Sequence, residues 1–424
     1  MRVRAFLVLA VWIAWTLSAP QVSAQGLERV DPETIGLSAH RLERLSDAFE
    51  GYVAQGALPG VVVLIARHGQ IGYLEAFGRR DRESGAPMEV DAIFRIASQT
   101  KALVSVAVMM LQEEGRLLIA DPIGRYLPEL LDTTVAVARS GGGYDVVRAN
   151  RPITIRDLLT HTAGIGYGTG VAEDQWAAAE IQGWYFAHRD EPVRQTIAHI
   201  AELPFDAQPG ERFVYGYNTD ILGALVEVVT GDPLDVALRS RVLEPLGMDD
   251  THFYLPREKT ARLATVYSVS DAGLERTPDH GGMVSQGAYV DGPRTSFSGG
   301  AGLLSTAEDY AAFLQMLLDG GAFDGERILS SNTVSLMTVN HLGVDVNSAA
   351  GTGFGLGFSV VEDLGARGVP GSVGEFGWGG AYHSTYWVDP EEDLVVVYFT
   401  QVIPATGLDD QGKLRALVYQ AIVD

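Results

Sequence analysis

The stretch Phe94 to Gly115, FRIASQTKALVSVAVMMLQEEG, most constrains how this chain can fold. From Ala102 to Leu111 its residues are almost all apolar. A helix that is apolar all round must be packed on every side, so the rest of the chain has to enclose it. Only its first turn carries groups capable of chemistry. Ser98 opens the run and Lys101 follows three residues later. Residues three apart on a helix share a face, so the hydroxyl and the amine can meet. The free N–H groups and positive dipole end of that turn suit an oxyanion developing at Ser98. Burial beside an apolar helix favours a neutral amine, which can act as a base. The ordinary reading also applies: Ser-x-x-Lys arises by chance in long chains, and Ser is a common helix N-cap. The remaining sequence has to decide between them.

The N-terminus reads as an export signal. Arg2 and Arg4 precede an apolar run from Ala5 to Trp15, and Val22-Ser23-Ala24 offers a small-residue cleavage site before Gln25. We therefore expect residues 1–24 to be removed and the mature protein to be secreted or periplasmic. The apolar run is too short to span a bilayer comfortably, and no later segment supplies 18 uninterrupted apolar residues. No cysteine is present, which leaves neither a lipid-anchor thiol nor a disulfide. The formal net charge of −23 argues against nucleic acid and anionic membranes as partners. With 49 glycines and 46% hydrophobic residues among 424, the chain is globular and turn-rich, with enough length to build its core without crosslinks.

Strand-like and helical patterns are segregated along the chain. Ser38 to Tyr52 has the spacing of an amphipathic helix. Gly60 to Arg67 and Ile71 to Phe77 read as strands around a His68-Gly69-Gln70 turn. From Asp121 to about Gly320 the pattern is helical with long loops. It includes a short helix starting at Thr154-Ile155-Arg156-Asp157 and stopping at Gly164, and helices over Thr219 to Thr230 and Pro233 to Leu243. A Ser305–Glu308 capping box opens a helix to Leu318. Glu258 to Gly300 is polar and glycine-rich and reads as a long loop. Leu356 to Glu362, Ser384 to Val388 and Leu394 to Thr400 are β-rich, and Lys413 to Val423 closes the chain as a helix. The expected fold is α+β: an antiparallel sheet from both termini (about 25–120 and 340–424) flanked by helices, with a mainly helical insertion (about 121–339), forming one unit over 25–424.

Two further stretches could share a site with Ser98. Pro209-Gly210-Glu211-Arg212-Phe213-Val214-Tyr215 ends in a tyrosine whose hydroxyl could relay a proton near Lys101; a core role for Tyr215 or Tyr217 is the alternative. Gly377-Trp378-Gly379-Gly380-Ala381-Tyr382 enters a strand, and its glycines would let a substrate approach the backbone. A tight turn with a core tryptophan is the ordinary reading of it.

Together these motifs resemble the serine hydrolases related to class C β-lactamases and penicillin-binding proteins, and within them the family VIII esterases. The resemblance runs through FRIASQTK (94–101), ITIRDLLTHTAG (153–164), PGERFVY (209–215), FSGGAGLLSTAEDY (297–310) and GWGGAYHSTYWVDP (377–390). It implies a β-lactamase/transpeptidase-like fold and an acyl-enzyme mechanism without cofactor or metal. Ser98 would be the nucleophile, with Lys101 and Tyr215 as the coupled base. The Ser98 and Ala381 N–H groups would form the oxyanion hole, and Trp378, Gly379 and Gly380 would bind substrate. The sequence departs from the β-lactamase pattern twice. Tyr217 stands where an asparagine is usual, with Asn218 one residue late, and Trp378 replaces the lysine that opens the third motif. An indole offers an apolar wall and one N–H donor but no cation for a β-lactam carboxylate.

The reading is thus a carboxylesterase acting on short to medium acyl esters. The alternatives are a β-lactamase or D-aminoacyl peptidase on the same scaffold, or a silent member serving as a scaffold or binding protein. The substrate is a small-molecule ester or amide. No Gly-x-Ser-x-Gly elbow and no His-Glu-x-x-His occur, His188-Arg189-Asp190 lacks the other kinase signatures, and the glycines at 351–357 lack nucleotide-binding spacing. His161 reads as structural, and His383, beside the third motif, stays open between structure and catalysis. Mass spectrometry of exported protein should find Gln25 as the first residue; an intact Met1 in a cytoplasmic fraction would contradict the export reading.

Overall fold

The computed structural model describes residues 26–270, 273–343, 346 and 349–423; the signal-like segment lies outside them. Its centre is one sheet built from the two ends of the chain. The strands are β1 (Glu28–Arg29), β2 (Gly60–Arg67), β3 (Gln70–Asp81), β4 (Ala86–Pro87), β5 (Thr352–Phe354), β6 (Ser359–Val361), β7 (Phe376–Gly380), β8 (Ser384–Asp389) and β9 (Leu394–Thr400). They lie in the order β1-β3-β2-β9-β8-β7-β6-β5, with β4 alongside β3. All pairs are antiparallel except β1 with β3. β9 joins the halves by pairing with β2, Val396 opposite Ile65 and Tyr398 opposite Val63.

Every residue of β2 and β9 is buried. Their side chains alternate between two cores, as the period of two requires. Val62, Leu64, Val395, Val397 and Phe399 face one core. Val61, Val63, Ile65, Val396 and Tyr398 face the other. A sheet covered on both faces needs continuous apolar strands, which explains why GVVVLIAR and LVVVYFT show no polar alternation. Helices α1 (Ala39–Ala54) and, near the C-terminus, α6 (Asp410–Tyr419) cover one face. On the other lie α2 (Thr100–Glu113) and α5 (Ala307–Leu318). The intervening chain adds α3 (Ile155–Leu159), which packs with α4 (Asn218–Thr230), and α4 in turn packs with α2.

Several expectations are corrected in detail. α2 begins at Thr100, and Ser98 lies in a 3-10 turn over Ala97–Gln99, because Ala97 takes φ 43° and interrupts the helical path. α3 ends at Leu159 rather than running to Gly164. In place of the expected capping box, α5 has a one-way N-cap shifted by one residue. Thr306 Oγ1 accepts from the Asp309 N–H, while the Asp309 carboxylate accepts from the Asp250 N–H and the Thr251 hydroxyl. Ser305 is already engaged, paired with Phe94 and 2.8 Å from the Thr251 hydroxyl. The polar 258–300 stretch contains a 3-10 helix (Arg257–Arg262) and a hairpin (Tyr267–Ser270 with Gly273–Arg276). The helical region also contains a hairpin over 134–138 and 144–148.

Phe49 of α1 is fully buried and contacts the rings of Tyr52, Phe77 and Tyr398. Removing a buried phenyl group costs about 3–5 kcal/mol. Phe49→Ala should lose about that much unfolding free energy in a denaturant titration, while the distant site keeps its local geometry.

Candidate active site

The 3-10 turn over 97–99 and the start of α2 together deliver Ser98 and Lys101 to one place. Lys101 is 2% exposed, so its amine depends on the partners the fold provides. It reaches Ser98 Oγ at 3.2 Å, the Tyr167 hydroxyl at 3.1 Å and the Gly300 carbonyl at 2.7 Å. It also sits 4.6 Å from the centre of the Tyr215 ring. Leu303 N–H donates to Thr100 Oγ1 and the Tyr310 hydroxyl to Gln99 O, tying the turn to the 300–310 segment.

Ser98, Tyr167, Trp184, Tyr215, Trp378, Gly379 and Ala381 line a cavity of about 380 Å³. None of these side chains is charged. Two larger hollows, of about 450 and 420 Å³, include neither Ser98 nor Lys101 in their walls; size alone does not locate the site.

The structure separates the two candidate tyrosines. Tyr217 is fully buried, donates to the Gly183 carbonyl and stacks on Trp176 and Phe186. Tyr215 borders the cavity, and its oxygen accepts the Trp378 indole N–H at 2.9 Å. The third-motif tryptophan thus directs its only polar group to Tyr215 while its ring forms part of the wall.

Gly379 and Ala381 border the cavity, but Gly380 does not. A Cβ on Gly380 would lie 2.5 Å from the Ile96 carbonyl and 2.4 Å from Ser384 Oγ. Its smallness lets β7 close onto the Ser98 turn, a packing role in place of the substrate contact expected from sequence.

Three residues to which the sequence assigns no role complete the site. Tyr167 is the phenol in contact with the Lys101 amine. Burial pushes its pKa well above the usual value, with Tyr215, Asp220 and Tyr217 adding to that, so it stays a neutral phenol. It lies in THTAGIGYG, three residues beyond ITIRDLLTHTAG, and a tyrosine among glycines was the available signal. Gly164 in that segment has φ 82° and presses against the Ala207 backbone, so only glycine fits there. Trp184 forms the far wall and meets Tyr382 edge-on. Asp220, on α4, is buried beneath the 298–300 turn.

His161 and His383 are both held in protein contacts. His161 is buried, and the Asn218 amide donates to its Nδ1 at 2.9 Å. Burial, reinforced by the Lys101 charge, holds it well below the ordinary histidine pKa and therefore neutral. His383 Nε2 lies 2.8 Å from Asp410 Oδ1, joining the turn after Ala381 to α6, and it does not line the cavity. Among the described residues, no group of three or more His, Asp or Glu side chains is placed to hold a metal ion.

A serine and a buried lysine on one helical turn, beside a cavity edged by the strand that follows, define a serine hydrolase with a β-lactamase/transpeptidase-like fold. Comparison with known proteins agrees. The family described as Beta-lactamase matches residues 45–420. Protein Rv1367c of Mycobacterium tuberculosis is 36% identical over 365 residues, covering 84% of this chain and 88% of its own. Esterase EstB of Burkholderia gladioli is 32% identical over 387 residues, covering 88% and 93%. Among solved structures, EstCE1, described as a hydrolase with promiscuous acyltransferase activity, superposes with a TM-score of 0.76 at 30% identity over 89% of this chain and 98% of its own. The chain belongs to the Beta-lactamase family.

Trp378→Phe keeps the aromatic wall and removes the N–H donor. A lost hydrogen bond of about 1–1.5 kcal/mol corresponds to about a tenfold change in rate. Ester kcat/KM should fall by about tenfold with Tm nearly unchanged; an unchanged rate would show that the indole is only a wall.

Proposed function

We propose that this protein is a carboxylesterase that forms an acyl-enzyme on Ser98 and prefers neutral esters of short to medium acyl chains. The observation that carries the reading is the Lys101 amine 3.2 Å from Ser98 Oγ at the edge of an uncharged, aromatic-walled cavity. A neutral amine has two N–H donors and one lone pair. The Gly300 carbonyl can only accept, and Tyr167 can accept the second N–H, which leaves the lone pair for the Ser98 hydroxyl. Ser98 then attacks the carbonyl carbon as its proton passes to Lys101. The N–H groups of Ser98 and Ala381 stabilise the tetrahedral oxyanion. Tyr215, held by the Trp378 N–H, hands its phenolic proton to the leaving alkoxide and takes the Lys101 proton in its place. In the second half it takes a proton from the attacking water while its own returns through Lys101 to Ser98 Oγ as the acid leaves.

The wall chemistry favours esters over β-lactams. A β-lactam carboxylate would be desolvated against Trp378, Trp184 and two tyrosines with no ammonium to receive it, at a cost of several kcal/mol. The names of EstB and EstCE1 support the same choice. Export of the mature chain through the 1–24 segment is part of the proposal and rests on the sequence pattern alone.

Initial rates with p-nitrophenyl butyrate, nitrocefin and a D-alanyl dipeptide, compared in parallel, test the assignment. The ester should give the highest kcat/KM, Ser98→Ala should abolish turnover, and a serine-reactive phosphonate should label Ser98 stoichiometrically. Faster hydrolysis of nitrocefin would replace this reading with the β-lactamase one.

A further inference from the structure

Beneath the site, a carboxylate faces the lysine across a single residue, Gly300. Asp220 of α4 is 1% exposed. Its Oδ1 accepts the Ser298 hydroxyl at 2.6 Å and the Gly300 N–H at 3.0 Å. Its Oδ2 has no hydrogen-bond partner among the described residues. Gly300 also reaches the lysine, since its carbonyl takes the Lys101 amine at 2.7 Å. A Cβ on Gly300 would come within 2.3 Å of Asp220 Oδ2, so the carboxylate lies tight against that residue.

This arrangement is unexpected for a purely structural tether. Asparagine would accept the same two hydrogen bonds without placing a charge in the core. A buried carboxylate with one oxygen unpaired costs several kcal/mol unless a cation offsets it. Lys101, when it carries a proton, is the cation that acts on Asp220. Burial pushes the Asp220 carboxyl above its usual range, while Ser298, the Lys101 charge and the Gly300 N–H pull it back toward ionisation. The groups facing this pair from the neighbouring elements are Ser98 on the α2 turn, Tyr167 and His161 on the 161–167 segment, and Tyr215 and Tyr217 before α4. His161 is neutral, and the phenols bring no positive charge.

We propose that Asp220 is a positioning residue that aims Lys101 through the Gly300 carbonyl and supplies the buried negative charge that balances the lysine while it holds the serine's proton. The inference rests on the acyl-enzyme reading of Ser98. The serine proton moves from Oγ to Nζ as the Oγ–carbon bond forms, creating an ammonium in a site that excludes water. The carboxylate on the far side of Gly300 stabilises that ammonium at the moment it appears, and the proton then passes to Tyr215 as that phenol protonates the leaving alkoxide.

Two variants test the proposal with p-nitrophenyl butyrate. Asp220→Asn retains the acceptor for Ser298 and Gly300 and removes the charge. It should lower kcat by at least about tenfold, a fraction of the usual gain from general acid–base catalysis, with KM within about twofold and a cooperative melt retained. Ser298→Ala leaves the charge and removes a donor to the carboxylate, which raises the pH at which Asp220 is neutralised. The acidic limb of its kcat profile should move to higher pH.

An Asp220→Asn enzyme with wild-type kcat would reduce Asp220 to a tether and overturn the proposal. So would a Ser298→Ala profile with its acidic limb in place. Should Asp220→Asn fail to fold, the Ser298→Ala profile decides alone. Phosphonate labelling of the wild type at Ser98 tests the underlying reading separately: labelling with unaffected variants defeats only the Asp220 proposal, whereas no labelling defeats the reading beneath it.

Discussion

The whole arrangement depends on burying the Lys101 amine. An amine deep in a protein is costly to desolvate, and the cost is tolerable only where several polar partners replace water. Here the fold provides three, from Ser98, Tyr167 and Gly300, each carried by a different part of the chain. The apolar body of α2 fixes where the amine must lie, because that helix is buried along nearly its whole length. The helical insertion brings in Tyr167 and Tyr215, and the 298–300 turn brings in Gly300. Remove any of these supports and the lysine is left with an unmet donor in a low-dielectric core.

A further dependence runs through the aromatic side chains. Taken from their separate motifs, Trp378 is a wall and Tyr215 a proton carrier. Their 2.9 Å hydrogen bond makes them one unit. The strand that carries Trp378 therefore also holds the Tyr215 hydroxyl in place. Gly380 permits this by letting β7 lie against Ile96, so a residue outside the cavity controls how its two halves meet.

Much of this was legible in the sequence. GVVVLIAR and LVVVYFT announced strands covered on both faces, and the apolar run of α2 required a core around it. Ser98 and Lys101 stood out because helical spacing translates directly into side-chain proximity. What stayed hidden depended on contacts distant along the chain. Nothing local to Tyr167 or Asp220 says that Lys101 lies beside them. Tyr167 sits among glycines, and Asp220 has the local pattern of any acidic residue in the first turn of a helix. The one-residue shift of the α5 cap had a similar cause, since Ser305 was claimed by Thr251 and a strand pairing that no local pattern reveals. The small hairpins at 134–148 and 267–276 were readable from their β-branched and aromatic residues, and the polar glycine-rich flanks masked them.

The pairing of β2 with β9 bears on the order in which this protein can come to life on the ribosome. The nucleophile emerges early, yet the central ladder beside it waits for one of the last strands to be made. Until then β2 has an open edge and an uncovered apolar face, which in a growing chain invites chaperones or self-association. Gly379 and Ala381, which border the cavity, are also made late, so a nascent chain that ends before them lacks one side of the site. Contacts this distant along the sequence make for slow, late-committing folding. A hydrolase built this way completes the sheet beside its site only as its last strands are made.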